Sequence, residues 1–307
     1  MTITTLELSF GTRRSRLALW QTRHVADALR RLNSNIAATE VPISTEGDRD
    51  PDTPLPEIGG KGLFTEELER SLIDGEIDLA VHSLKDLPTE SRSELTLGAV
   101  CFRSDPRDVI ISKHGVGLRG LSSGASIATS SNRRSAQLRL IRPDVVIEPL
   151  RGNVDTRVAI GIRGEFDGVC LAAAGVQRLG MVHCITEYLS LEQFLPAPGQ
   201  GALAIQCRAC DERVRELLAG LDEPNVRAAV TAERSFLIGL GGGCSAPVGA
   251  FAKLTDPGIL ELRGLVAAID GSRVVRVVSS GSSDDPEQLG LALAEEAVAQ
   301  GAGDLLP

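Results

Sequence analysis

Aromatic residues make up only 3% of this 307-residue chain, with one Trp and one Tyr, so a stacking surface for nucleic-acid bases is not expected. Positive charge is also short. The net charge of −9 removes bulk attraction to a phosphate backbone. No apolar run approaches a membrane span; stretches such as Leu171–Val176 are far too short. The first ten residues lack the basic stretch and apolar segment of a secretory leader, which makes a cytoplasmic protein the expectation. Six cysteines, at 101, 170, 184, 207, 210 and 244, are too sparse for a disulfide framework. Cys207 and Cys210 make a C-x-x-C, but no second pair stands at ligand spacing, so it reads as a chance pair and no metal is expected.

The composition, 42% hydrophobic and 24% charged, is that of a soluble globular protein. At roughly 150 residues per domain the length suggests two domains, with three possible. Charge is uneven: residues 1–101 carry −6, residues 102–200 carry +3 and residues 201–307 carry −6. A basic middle inside an acidic chain suggests a local anion site. Of the 32 basic residues only four are Lys. Arg suits bidentate pairing with carboxylate or phosphate, although genomic base composition also favours it.

β-like and helix-like segments alternate, which indicates α/β architecture. Residues 12–32 read as a helix, 41–45 as a strand, 46–62 as a long loop, 64–72 as a helical stripe ended by Gly75, and 77–82 as a strand. Gly75-Glu-Ile-Asp78 and Gly164-Glu-Phe-Asp167 stand 89 residues apart, each after a helical stretch and before an apolar strand. Two related lobes with a cleft between them would place ligands at strand carboxyl ends. The last part, roughly 222–307, reads as a smaller α/β domain: a helix over 224–238, strands at 260–268 and 274–278 around Asp270-Gly271, and a helix opened by Asp285-Pro286 and closed by Gly301.

Three glycine motifs mislead. Gly115-Val-Gly-Leu-Arg-Gly120 matches a dinucleotide fingerprint but runs into another turn, Leu-Ser-Ser-Gly, rather than a helix. Gly120-Leu-Ser-Ser-Gly124 lacks the strand and helix of a nucleophile elbow. Gly59-Gly-Lys-Gly62 lacks the Walker spacing.

Other segments carry chemistry. Gly11-Thr-Arg-Arg-Ser-Arg16 lies at a helix start, where Arg13 and Ser15 could bind an anion. His82-Ser-Leu-Lys-Asp-Leu-Pro88 puts Lys85 beside Asp86 at a strand end, a cation and a general acid/base in one place. Ala128-Thr-Ser-Ser-Asn-Arg-Arg134 repeats the strand-end position, and Arg151 and Arg157 bracket a turn. Singly these are solvated loops; together, around a cleft, they suit a substrate with several carboxylates. A lone Asp in such a field stays ionised and could stabilise a developing cation or move a proton. Finally, Gly241-Gly-Gly-Cys-Ser-Ala-Pro-Val-Gly249 presents Cys244 on a glycine loop, as a nucleophile or an attachment point.

In order, these segments resemble the porphobilinogen deaminase (hydroxymethylbilane synthase) family nearly end to end. The resemblance rests on Gly11-Thr-Arg, Leu17-Ala-Leu-Trp-Gln21, Ile58-Gly-Gly-Lys-Gly-Leu-Phe64, Ala80-Val-His-Ser-Leu-Lys-Asp-Leu-Pro88 and Asp105-Pro-Arg-Asp108. It continues through Arg133-Arg134, Leu150-Arg-Gly-Asn-Val154, Leu195-Pro-Ala-Pro-Gly-Gln-Gly-Ala202 and Gly242-Gly-Cys-Ser-Ala-Pro-Val-Gly249.

The resemblance implies three α/β domains. The first two resemble periplasmic-binding-protein lobes with mixed sheets, at 1–101 plus 202–219 and at 105–197. The third, 222–307, is small, has an antiparallel sheet and carries the cofactor loop. It implies a cytoplasmic, monomeric transferase of tetrapyrrole synthesis that joins four porphobilinogen molecules into hydroxymethylbilane with release of ammonia, with neither nucleic acid nor membrane as partner. The implied cofactor is a dipyrromethane bound through a thioether to Cys244 and held by Lys85, Ser131, Arg133, Arg134 and Asp86. Asp86 is also the implied catalytic residue. Arg13, Ser15, Gln21, Arg151, Arg157, Arg178 and Gln200 would bind or position substrate, Lys61 and Phe64 would belong to a lid or pack over the chain, and 48–60 would be the lid. The sequence departs from the family pattern at Asn132, Ala128 and Glu57, the last of which makes the lid less basic. A non-catalytic two-lobed carboxylate-binding protein is the alternative, and a nicotinamide-dependent oxidoreductase the third reading.

Overall fold

The computed structural model describes residues 5–45, 47, 65–90, 92–243 and 245–306. Strand β1 (Leu6–Thr12) leads into helix α1 (Arg16–Leu32), then β2 (Ile36–Pro42), helix α2 (Glu66–Ile73), β3 (Leu79–Ser83) and β4 (Leu95–Cys101). The chain crosses to a second sheet through β5 (Asp108–Ile111), β6 (Ser126–Ala128), α3 (Asn132–Ile141), β7 (Val146–Glu148), α4 (Val154–Arg163), β8 (Gly168–Ala172), α5 (Ala173–Arg178) and β9 (Glu187–Tyr188). It returns as β10 (Leu203–Arg208) and α6 (Glu212–Ala219). The remainder is α7 (Pro224–Gly239), β11 (Val248–Asp256), β12 (Ile259–Ala267), β13 (Val274–Ser282) and α8 (Pro286–Ala299).

The first sheet runs β2-β1-β3-β10-β4 and the second β7-β6-β8-β5-β9. In each, three parallel strands are joined by a strand of reversed direction, β10 against β3 and β5 against β8. The third sheet, β11-β12-β13, is wholly antiparallel. Fold class therefore matches the expectation: two mixed five-stranded sheets and a small antiparallel one.

Element bounds moved in places. The strand expected at 41–45 is Ile36–Pro42, because seven residues of β1 pair with it in parallel register from Leu6↔Ile36 to Thr12↔Pro42. Its Ala-rich first half hides the strand from pattern reading, and the backbone ladder overrides that weak propensity. The strand expected at 77–82 is Leu79–Ser83, with Ile77 buried just ahead of it. Strand β11, absent from the sequence reading, follows the cysteine loop directly. The glycine fingerprint ends in a three-residue 3₁₀ turn, Leu118–Gly120, so it opens no helix. Cys207 is buried in β10 while Cys210 is exposed. Among the described residues no helix is long and apolar enough to cross a membrane.

The paired Gly-x-x-Asp segments do the same work in both sheets. Gly75 and Gly164 take positive φ, 75° and 71°, as each helical stretch gives way to a strand. Asp78 then accepts from the backbone N–H and hydroxyl of Ser9 at 2.8 and 2.7 Å. Asp167 accepts from the N–H and hydroxyl of Ser126 at 2.9 and 3.1 Å. Each aspartate locks its strand to the neighbouring one, and each carboxyl is held below its usual range, Asp78 against the upward push of its own burial.

Two crossovers link the sheets, one after Cys101 and one before Leu203. They run side by side: the Ser104 N–H donates to the Gly201 carbonyl at 3.0 Å. Gly201 has φ +93°, and a Cβ there would lie 2.5 Å from the Ser104 oxygen, so both backbone shape and space demand glycine. The third domain grips this junction. Glu233, fully buried on α7, accepts from the N–H of Gly199 and of Ala252, both at 2.7 Å, and pairs with Arg103 at 2.8 Å.

Candidate active site

The cleft is made of strand ends. After β3 the chain makes one 3₁₀ turn, Leu84–Asp86, which presents Lys85 half-buried and Asp86 exposed. After β6, Ser131 caps α3 by accepting from the Arg134 N–H, and the first turn of that helix carries Arg133 and Arg134. After β1, Ser15 caps α1 by accepting from the Ala18 N–H at 3.2 Å. Both serines thus spend an oxygen lone pair on a helix and keep the hydroxyl proton for donation.

Arg133 and Arg134 are only 4% and 6% exposed. Asp108, fully buried at the start of β5, takes both: Arg133 Nη1 reaches Oδ2 at 2.7 Å, while Arg134 reaches Oδ1 through Nε at 2.9 Å and Nη2 at 2.7 Å. Arg133 also donates to the Leu195 carbonyl at 2.8 Å. Burial pushes the Asp108 carboxyl up, and the two guanidiniums more than reverse this, holding it at about 2. One carboxylate shared by two guanidiniums leaves a surplus positive charge facing the cleft. Asp108 stands in the Asp105-Pro-Arg-Asp108 motif, whose pattern alone assigns it no role; the signal for it in the sequence is an acid entering an apolar strand of an Arg-rich lobe.

Gln200 bridges the two walls. It accepts from Lys85 Nζ at 3.4 Å and donates to the Pro106 carbonyl at 2.7 Å and to Asp108 Oδ1 at 3.1 Å. Burial lowers the Lys85 ammonium to about 8, with Asp86 opposing that shift. Gln21, buried on α1, donates to the Ser83 hydroxyl at 2.8 Å and so steadies the end of β3. Arg157 donates to the Gly152 carbonyl at 2.7 Å. Its guanidinium is lowered to about 10 by burial and by the neighbouring Arg134 and Arg151, while Asp86 pulls the other way. Arg13 follows β1 at the same rim and its field reaches the buried His82.

Arg178 lines the pocket between the lobes and also holds backbone. It is 7% exposed, and its Nη2 donates to the Gly201 carbonyl at 2.6 Å and the Phe102 carbonyl at 3.1 Å, one on each crossover. Its Nε has no hydrogen-bond partner among the described residues. Burial lowers it to about 10.

Two pockets meet at Lys85. The one between the lobes, about 600 Å³ of empty space, carries Asp86, Arg134, Arg178 and Gln200 against an apolar wall of Leu17, Ala174 and Gly175. The other, about 450 Å³, reaches toward the third domain past Ser131, Arg133 and Arg234 to Gly243. The structure therefore brings together Lys85, Asp86, Ser131, Arg133, Arg134, Arg178 and Gln200 as pocket lining. Lys61, Phe64, Cys244, Glu57 and the 48–60 segment lie outside the described residues.

Such a fold and cleft define a two-lobed α/β protein with a third domain against its hinge, lined to take a ligand rich in carboxylates. Residues 8–216 match the family model described as porphobilinogen deaminase, dipyromethane cofactor binding domain. Residues 227–299 match porphobilinogen deaminase, C-terminal domain. A porphobilinogen deaminase of Brevibacillus brevis is 48% identical over 296 residues, covering 96% of this chain and 95% of that protein. One of Roseiflexus castenholzii is 48% identical over 299 residues, covering 97% and 98%. Among solved structures, the substrate binding domain of a putative molybdenum ABC transporter from Clostridium difficile is 11% identical with a TM-score of 0.45, covering 71% of this chain and 92% of that one. The chain belongs to the porphobilinogen deaminase family. It is a transferase of tetrapyrrole biosynthesis, with porphobilinogen as substrate and a dipyrromethane as cofactor. The non-catalytic carboxylate-binding alternative is not favoured.

Proposed function

We propose that the chain condenses four porphobilinogen molecules into hydroxymethylbilane, releasing ammonia at each step, with Asp86 as the catalytic residue. The observation that carries this reading is the setting of Asp86: an exposed carboxylate at the pocket between the lobes, within the fields of Lys85, Arg134 and Arg157.

The residues fit the cofactor. Each pyrrole of a dipyrromethane carries two carboxylates, and the pocket toward Gly243 offers Lys85, Arg133 and the Ser131 hydroxyl as donors. Gly243 is the neighbour of Cys244, the thiol we assign to the thioether. When bound, the cofactor supplies a free pyrrole α-carbon as nucleophile. Arg13, Ser15, Arg151 and Arg157 bind the carboxylates of incoming porphobilinogen. The Asp86 carboxylate accepts from the substrate pyrrole N–H and stabilises the positive charge that develops as the carbon–nitrogen bond to ammonia breaks. It then moves the proton lost when the new carbon–carbon bond forms. Gln200 fixes Lys85 relative to Asp108, and Gln21 fixes the end of β3. Arg178 belongs to the same site through the crossover carbonyls it holds. Lys61 and Phe64 are assigned to the lid or to packing over the growing chain, with 48–60 as the lid.

The division at 1–101 plus 202–219, 105–197 and 222–307 belongs to this reading, as do a monomeric state and a cytoplasmic location, where the Cys244 thiol stays reduced for attachment. Intact mass measured beside Cys244→Ser tests it. A dipyrromethane adduct present in the native protein and absent from the variant is the expected result. An unmodified native chain, still unmodified after incubation with porphobilinogen, overturns the attachment and the priming role together.

A further inference from the structure

The turn that carries Lys85 and Asp86 is weakly held by its own chain. It is a single 3₁₀ turn of three residues, closed by the Leu87 N–H to the Leu84 carbonyl at 3.1 Å and tied to the second crossover by the Leu84 N–H to the Ala202 carbonyl at 3.1 Å. Short 3₁₀ turns have poor hydrogen-bond geometry and do not hold a side chain to fractions of an ångström unaided. What lies beneath it is helix α7 of the third domain. Val230, one helical turn before Arg234, is buried in the same small cluster as Leu84 and Leu87. Arg234 then spreads over carbonyls at the start of the turn and just after it: Nη1 donates to Leu87 at 3.1 Å and to Leu84 at 3.4 Å, and Nη2 donates to Pro88 at 2.5 Å.

This has an electrostatic side as well. Leu87 lines the pocket toward Gly243, and its carbonyl oxygen would repel a carboxylate there. Arg234, lining the same pocket, takes that oxygen together with those of Leu84 and Pro88 and offsets their negative ends. Lysine could not do this equally, because a point-charge ammonium lacks the planar fork that reaches three acceptors at once.

We propose that Arg234 is a positioning residue for the reaction: it pins the Lys85–Asp86 turn to the helix that leads into the cysteine loop, so that the placement of Asp86 is set by the domain that carries the attachment point. This rests on the reading of Asp86 as the catalytic residue. Arg234 acts through the backbone of the turn and does not bind cofactor or substrate itself.

The test uses the loaded enzyme with Arg234→Gln, Arg234→Lys, Asp86→Glu and the double variant Arg234→Gln/Asp86→Glu. Adduct content is read by intact mass, and kcat, KM and thermal midpoint are measured on each. Displacement of a reacting group by about 1 Å costs up to roughly 100-fold, so Arg234→Gln is expected to lower kcat by about 10- to 100-fold. Loading should stay near native and KM within about threefold, and Arg234→Lys should recover part of the loss. In the Asp86→Glu background, where the carboxylate is already displaced, the further loss from Arg234→Gln should shrink to a few-fold, the non-additivity expected of residues acting through one contact. Native kcat in Arg234→Gln overturns the proposal. So do strictly multiplicative losses in the double variant. Loss of adduct in both Arg234 variants would put Arg234 on the cofactor itself and overturn it too. If Arg234→Gln does not fold, Arg234→Lys decides: reduced kcat with normal loading supports the proposal, and unchanged kcat refutes it. Native kcat in Asp86→Glu and in Asp86→Asn instead overturns the reading of Asp86, whatever Arg234 does.

Discussion

Strand β3 of the first lobe and β8 of the second are entered in the same way, through an aspartate that binds the serine of the adjacent strand, and they are left differently. Counting from those aspartates, Lys85 and Asp86 correspond to Ala174 and Gly175. Both pairs line the pocket between the lobes. One wall therefore carries a cation and an acid where the facing wall, at the matching positions, carries only a methyl group and a hydrogen. The second lobe's charge beside this pocket comes instead from Arg178 and from Arg134, the latter at the start of a helix and neutralised in part by Asp108. On the proposed reading of Asp86, the frame shared by the two lobes is finished once as a reactive wall and once as a small-residue shelf beside an anion holder. A planar pyrrole ring with charged arms needs both: somewhere to lie, and something to hold its carboxylates while chemistry occurs on the opposite side.

The largest test of this contrast is Asp86→Asn. Removing the carboxylate from the reactive wall should lower kcat by at least about 100-fold, within the range for a group that moves protons or stabilises charge, with adducts still present by mass. Near-native ammonia release would dissolve the distinction between the walls. Next is Asp108→Asn. Two buried guanidiniums would lose their shared counter-charge, at a cost of about 3–5 kcal/mol, visible as a large drop in thermal midpoint. The acid limb should change too. The folded carboxyl is held at about 2, below the ordinary aspartate value of 3.8, so its contribution is complete above 3.8 and fades as pH falls through 2. In the variant that part of the pH dependence should vanish.

Gly175→Val probes the shelf. A Cβ there already stands 3.3 Å from Val154 and 3.5 Å from Leu17, so a branched side chain must grow into the pocket. KM should rise by about tenfold, with little change in the kcat of saturated enzyme, because a ring that lies less well still meets the same acid. The smallest effect compares the two serine caps. Ser15→Ala and Ser131→Ala should each cost about 1 kcal/mol of stability. Only Ser131→Ala should also reduce cofactor loading, since only Ser131 lines the pocket toward Gly243; equal loading in both would reduce Ser131 to a cap.

The frame was largely legible in the sequence. Asp285-Pro286 and Gly301 bound helix α8 as their chemistry demands, and the Gly-x-x-Asp pair marked the two lobes. The cations of the cleft were legible as types at strand ends. What each one holds was not. The pairing of Arg133 and Arg134 with Asp108, 25 and 26 residues away, is a tertiary event with no local signature. Arg178 is legible as a cation of the cleft, which it lines, but its bonds to carbonyls on two chain segments far apart in sequence have no local signature. Strand β2 was misplaced because its register is decided by β1 rather than by its own Ala-rich residues.

The two crossovers have a mechanical meaning. A single linker between lobes would be a swivel, free to bend and twist. Here two backbone segments lie side by side, joined by the Ser104–Gly201 hydrogen bond and by Arg178, which grips a carbonyl on each. Such a ribbon has the form of a flexure: more compliant across its thin direction than within its plane. Any parting of the lobes would thereby be resisted in the ribbon's plane, and a sideways shift of one wall past the other would be opposed by both segments together.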